Sequence, residues 1–234
     1  VGADEFGNGG HLNSLTSQNG LIDYVAGVDN SLSNNLGIDN YFNNTIMPAY
    51  SHSYFLTSVL SADYVDSDTE RGPSVNDLGT WTKFNYTKTD ANYKWRIPFE
   101  AGKANHNEGL KWTDQDDKAS YVYGEKELWY LTSIETKNYV AVFTLENRQD
   151  GYGVTGKNGG INNTHPVKRL NRISLYTRQN YEAHAANNTI PLNPIKEVHF
   201  KYDYSLCPGI PNSINGGGKL TLKEISFSYQ GSDK

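Results

Sequence analysis

The sequence predicts an all-β protein: an antiparallel β-sandwich or stacked-sheet module with long Asn- and Gly-rich loops. Three observations carry that prediction. Arg169–Thr177, Ile195–Tyr204 and Lys219–Tyr229 are alternating runs of β-branched and aromatic residues, the period of half-buried strands. Asn, Gly and Pro clusters separate them, and the chain holds 26 Asn and 22 Gly, residues that serve turns. Only 36% of residues are hydrophobic, yet 17 Tyr and 8 Phe supply large buried areas, so a core can form.

Residues 1–50 read as a loop-rich N-terminal arm with at most short helices. Leu12, Leu15, Leu21, Ile22, Val25, Val28, Leu32 and Leu36 are spaced for one or two, but Gly20, Gly27 and Gly37 interrupt them. Residues 51–234 read as one antiparallel β domain, a piece of a longer polypeptide. Strand signals run over Tyr54–Val65, Trp81–Thr87, Ala91–Phe99, Ser120–Tyr123, Leu128–Thr136 and Tyr139–Leu145. Lys137-Asn138 between the last two fits a hairpin turn. Residues 100–118 and 146–168 read as polar loops. Of the closing strands, the second sets Val198, Phe200, Tyr202 and Tyr204 toward a core and Glu197, His199, Lys201 and Asp203 toward water. In the third the phase slips between Leu222 and Ile225, which predicts a β-bulge near Lys223-Glu224.

Charge and composition exclude several functions. A net charge of −5 without a basic run gives no footprint for nucleic acid. No apolar stretch reaches the roughly 20 residues of a membrane span. Cys207 is the single cysteine, so no internal disulfide forms, and its apolar neighbours predict a buried thiol. The sequons at Asn43, Asn85, Asn162 and Asn187 are near chance in so Asn-rich a chain.

The candidate sites are few. Gly151-Tyr-Gly-Val-Thr-Gly156 matches a dinucleotide-binding string, but the Asn- and Gly-rich continuation cannot start the helix that the pyrophosphate needs, so it reads as loop. Asp66, Asp68, Glu70 and Asp77 carry oxygens at the spacing of a calcium loop, with Gly72 for the turn; Arg71 stands where an EF-hand has glycine. Asp114, Asp116 and Asp117 form a second acidic turn. Trp81, Trp95 and Trp129 sit on predicted strands and read as core, whereas Trp112 lies in a polar loop and is the candidate ligand anchor. Glu125, Glu127 and Glu135 read as exposed strand charges. Neither a zinc pair nor a serine-hydrolase elbow appears.

The order of the three closing strands, with Asp77–Tyr86 and Tyr93–Pro98, resembles very large secreted proteins of Bacteroidetes, related in pattern to Rhs/YD-repeat and toxin-complex shell proteins. The resemblance covers residues 54–234, and the short tandem YD repeats of a shell are missing. It implies a β-rich module of a giant exported protein. Together these readings predict a non-catalytic structural or adhesive module, extracellular or on a bacterial cell surface. Its partners would be the remainder of a larger polypeptide, a surface assembly or a glycan. The alternatives are a carbohydrate-binding module with calcium-supported loops, and a β-sandwich hydrolase.

Overall fold

The computed structural model describes residues 2–8, 20–29, 42–106 and 118–233. Its strands are β1 (Gly2–Asn8), β2 (Leu21–Asp23), β3 (Phe42–Ile46), β4 (Ser58–Leu60), β5 (Trp81–Ile97), β6 (Lys103–His106), β7 (Lys118–Thr136), β8 (Tyr139–Val154), β9 (Ile161–Thr177), β10 (Lys196–Leu206), β11 (Lys219–Tyr229) and β12 (Ser232–Asp233). Among the described residues one α-helix, α1 (Arg178–Ala186), links β9 to β10, and a short 3-10 turn, Ile214–Gly216, precedes β11. All pairings are antiparallel and belong to one sheet, with β12-β11-β10-β9-β8-β7-β1-β3 in order and β5 on the other side of β7. The all-β antiparallel expectation holds. No helix among the described residues is long and apolar enough to cross a membrane.

Several strands are longer than their sequence signals, but of the Tyr54–Val65 signal only Ser58–Leu60 is strand. β5 runs unbroken through Thr87–Asp90, because register shifts opposite β7 absorb its irregular polar stretch. Residues 146–168, expected as loop, are instead the far halves of β8 and β9 with a turn between them. Two of the three glycines in the misleading string have a packing reason, whereas Gly156 has open space around it. A Cβ at Gly153 would lie 2.5 Å from the Lys94 carbonyl, and one at Gly151 would lie 2.1 Å from Val167. Only a bare backbone lets β8 approach β5 this closely at Gly153, and the Val167 side chain of β9 this closely at Gly151.

That approach makes the fold sandwich-like. β7 pairs with β8 only from Ser133 to Glu135, and beyond that point the two strands part. The far end of β8 then meets the β5–β7 ribbon, where the Tyr93 hydroxyl donates to the Gly151 carbonyl at 3.4 Å. The core lies here: Ile22, Tyr24, Ala104, Ala119, Tyr121, Tyr123 and Val154 are all buried. Tyr24 meets Tyr121 edge-on at 5.1 Å, and the Arg96 guanidinium sits 4.4 Å over the Tyr121 ring. These contacts give an aromatic core the geometry that its quadrupoles favour.

In the N-terminal fifty residues, β1 and β3 join the sheet beside β7, and β2 pairs with β6. The helices expected there fall largely outside the described residues. α1 forms elsewhere, after Thr177 caps the Asn180 amide through its side chain.

The predicted bulge is present. Lys201 faces Glu224 and Tyr202 faces Leu222, so Lys223 is the extra residue. The two faces of the β8–β11 region are not divided as the alternation implies. Phe143, Ile173, Val198 and Phe227 form one cross-strand row, yet the first three are only half-buried and Phe227 is 41% exposed. The opposite row, Val142, Ser174, Glu197 and Ser228, holds two buried serines. Along this row the apolar side is thus the more open of the two.

Candidate functional site

The sharpest cluster of chemistry is the loop between β4 and β5. The loop closes through paired backbone hydrogen bonds between Val65 and Leu78 at 3.0 and 3.3 Å. Gly79 is required at its neck: its φ is +76°, and a Cβ there would lie 2.7 Å from the Asp63 carbonyl. Gly72, at φ +82°, makes the turn inside the loop.

Asp77 is the centre and is 1% exposed. Its Oδ1 accepts from the Ser67 amide at 2.9 Å, and its Oδ2 accepts from the Ser74 amide and the Tyr64 hydroxyl, each at 2.8 Å. The Lys137 ammonium, from the β7–β8 turn, donates to the Asp77 carbonyl. The Ser67 and Ser74 amides, then the Tyr64 hydroxyl and Lys137, outweigh burial and hold the Asp77 carboxyl below the usual carboxylate range. The same bond to Asp77 pushes the Tyr64 hydroxyl up to about 12. Asp68 is also held low, first by the Ser74 hydroxyl at 2.6 Å and then by the Glu70 amide at 2.8 Å.

Asp66, Asp68 and Asp77 come together, each offering an oxygen within 4.8 Å of the others. Glu70, the fourth expected ligand, is not among them. The alternate-residue spacing has a local cause: Asp66 accepts from the Asp68 amide at 3.3 Å and Asp68 from the Glu70 amide, two successive side-chain turns. Three oxygens from Asp66, Asp68 and Asp77 fit the chemistry of a hard cation. Against that, Asp77 already has three donors, and the Asp68 Oδ2 holds both Ser74 and the Asn76 amide at 3.2 Å. An ion would enter by displacing Ser74 and Asn76 from Asp68.

Other expected residues land as follows. Trp112 and the Asp114, Asp116, Asp117 turn lie outside the described residues. Trp81 is buried, and the Arg178 guanidinium lies 5.5 Å over its ring. Trp129 corrects the core expectation: it is 40% exposed, with its indole N–H on Glu127 at 2.8 Å and Lys88 5.2 Å over its ring. Those charges keep it at the surface. Cys207 is exposed rather than buried, because it begins the turn after β10 at φ +53°. Glu135 is not a free strand charge either; Arg178 reaches it at 3.0 Å and Asn85 at 2.6 Å.

The alternation concealed a second polar cluster. Ser174 donates to Glu197 at 2.8 Å, Ser228 donates to it at 3.4 Å, and the His199 Nε2 lies 3.1 Å from the Ser228 hydroxyl. This is not a hydrolase triad. Glu197 approaches that same Nε2 at 3.7 Å, whereas a triad needs nucleophile and carboxylate on opposite ring nitrogens. Ser228 is also 3% exposed, closed to a substrate.

A groove of about 390 Å³ lies beside the acidic loop, lined by Val59, Leu60, Thr80, Trp81 and Lys137 among others. Lys137 is its one charged group. Comparison of the chain with protein-family models, with curated proteins and with solved structures finds no match in any of the three.

Proposed function

We propose that the chain is a non-catalytic structural or adhesive module of a large secreted bacterial surface protein of the Rhs-like kind. The observation that carries this reading is the open apolar face of β8–β11. Ile225, Phe227 and Tyr229 are 47%, 41% and 42% exposed, and they continue the half-buried row of Phe143, Ile173 and Val198. A sheet face of this kind is stable in water only at a cost, and patches of several hundred Å² mark contact surfaces. In a larger polypeptide or surface assembly that face meets its neighbour. The strand pattern and the Asn-rich loops support a place outside the cell. Antibodies raised against this chain should label intact cells of its source, and protease added outside should remove the label. A signal seen only after lysis would overturn the reading.

A second reading, a carbohydrate-binding module whose loop is held by calcium, is favoured by the convergence of Asp66, Asp68 and Asp77. Calcium would raise the melting temperature by mass action, and a chelator would lower it again. An identical melt in calcium and in EDTA removes this reading.

A further inference from the structure

The outer side of β11 is an open strand edge. On its inner side β11 pairs with β10 from Lys219 to Tyr229, but outside it β12 covers only Ser228 and Tyr229. At the other end the Leu220 amide is taken by the buried Asp150 carboxylate at 2.8 Å. Between these two stops, no strand among the described residues flanks 221–227. Unpaired backbone groups along such an edge template another strand.

The residues of the edge say which strand. Counted outward from the midpoint between Lys223 and Glu224, the sequence repeats its own chemistry. Lys223 matches Glu224, Leu222 matches Ile225, and Thr221 matches Ser226. An antiparallel second copy, related by a two-fold axis at that midpoint, therefore sets cation against anion, apolar against apolar and hydroxyl against hydroxyl. A two-fold interface is self-complementary in this sense by construction.

The bulge makes the register possible. Along a regular strand, side-chain face and hydrogen-bonding direction alternate together. An axis lying between two residues would then oppose an outward-bonding residue to an inward-bonding one. The extra residue Lys223 removes the conflict. Leu222 and Ile225 stand opposite Tyr202 and Phe200, which are two apart on β10 and share one face. Leu222 and Ile225 thus share that face and the same bonding direction, and both are 47% exposed.

Charge agrees with the register. Within one copy, Lys223 is 3.1 Å from Asp203, and Glu224 is 3.4 Å from Lys201. Joining two copies gives the row Asp203, Lys223, Glu224 of the second copy, Lys201 of the second copy, alternating in sign throughout. The symmetric row repeats it. We infer that β11 is a homodimerisation edge, through which two copies of this chain join into one continuous sheet centred between Lys223 and Glu224. This inference does not depend on where the protein resides.

Sedimentation velocity over a concentration series tests it with the chain itself and three variants. K223E and E224K each place like charges across the axis, twice per dimer, and each should weaken dimerisation roughly tenfold. Both positions are exposed, so circular dichroism and melting should show both variants folded. Mixing K223E with E224K makes every cross-axis pair opposite in sign again, so the mixture should dimerise where neither variant does alone. The double variant K223E/E224K should recover the homodimer. Three results would each overturn the inference: a wild-type chain that stays monomeric throughout, a dimer indifferent to both single variants, or a mixture that associates no better than its parts.

Discussion

Replacing Asp150 with Asn should loosen the junction of β8 with β11. Asp150 is 1% exposed and takes a two-point bond from Arg148, at 2.9 and 2.8 Å, together with the Leu220 amide at 2.8 Å. Asn keeps an acceptor for one donor, but its own amide then faces the guanidinium. Hydrogen bonds to charged groups contribute about 1.5–3 kcal/mol each. Arg148 is 31% exposed, so once freed it recovers part of its hydration. The expected loss is about 3 kcal/mol, the low end of the range for breaking a buried pair. The pH dependence has a definite sign. Burial alone would raise the Asp150 carboxyl, but Arg148 and the Leu220 amide outweigh it and hold it below the usual range. A lowered folded pKa gives stability that is complete above the unfolded value, about 3.9, and is lost as pH falls through the folded value. Urea melts of wild type and D150N should therefore differ by a constant amount from pH 5 to 8 and converge only in more acid solution. A difference below about 1 kcal/mol, or one undiminished in acid, would refute the clamp.

Phe200→Ala should cost about 1–2 kcal/mol rather than the ~3–5 of a fully buried ring, since its face is only half-covered, and denaturant melts read this directly. Gly79→Ala should destabilise the acidic loop measurably, because the added methyl meets the Asp63 carbonyl and the Tyr64 Cα at 2.7 Å in a left-handed backbone; limited proteolysis should then cut within 61–80. Tyr64→Phe removes a donor from Asp77, so the acid limb of the melting curve should move to higher pH; an unchanged limb would show that Tyr64 does not hold the carboxylate low.

Much of the fold was legible because period-two alternation is a local signal. The bulge at Lys223 could be read from the phase of Leu222 and Ile225 alone. β8 and β9 beyond Leu145 could not, because Gly151 and Gly153 resemble a loop until their close contacts with Val167 and Lys94 are known. The inside and outside of β10 also misled. Glu197 looks solvated in sequence, yet Ser174 and Ser228 surround its carboxylate from two neighbouring strands. At the acidic loop, the spacing of Asp66 and Asp68 was visible, and so was the position of Asp77. The three donors that occupy Asp77 were not, because Ser67, Ser74 and Tyr64 reach it only once the Val65–Leu78 neck has closed.

The central claim is that the apolar face of β8–β11 is left open by the described residues and covered by a neighbour in the protein's own setting. Carbene footprinting with mass spectrometry tests it most directly, on the isolated chain and on intact source cells. The account predicts heavy labelling of Ile225, Phe227 and Tyr229 in the isolated chain and protection of the same residues at the cell surface. Protection already present in the isolated monomer, or equal labelling in both settings, would contradict it.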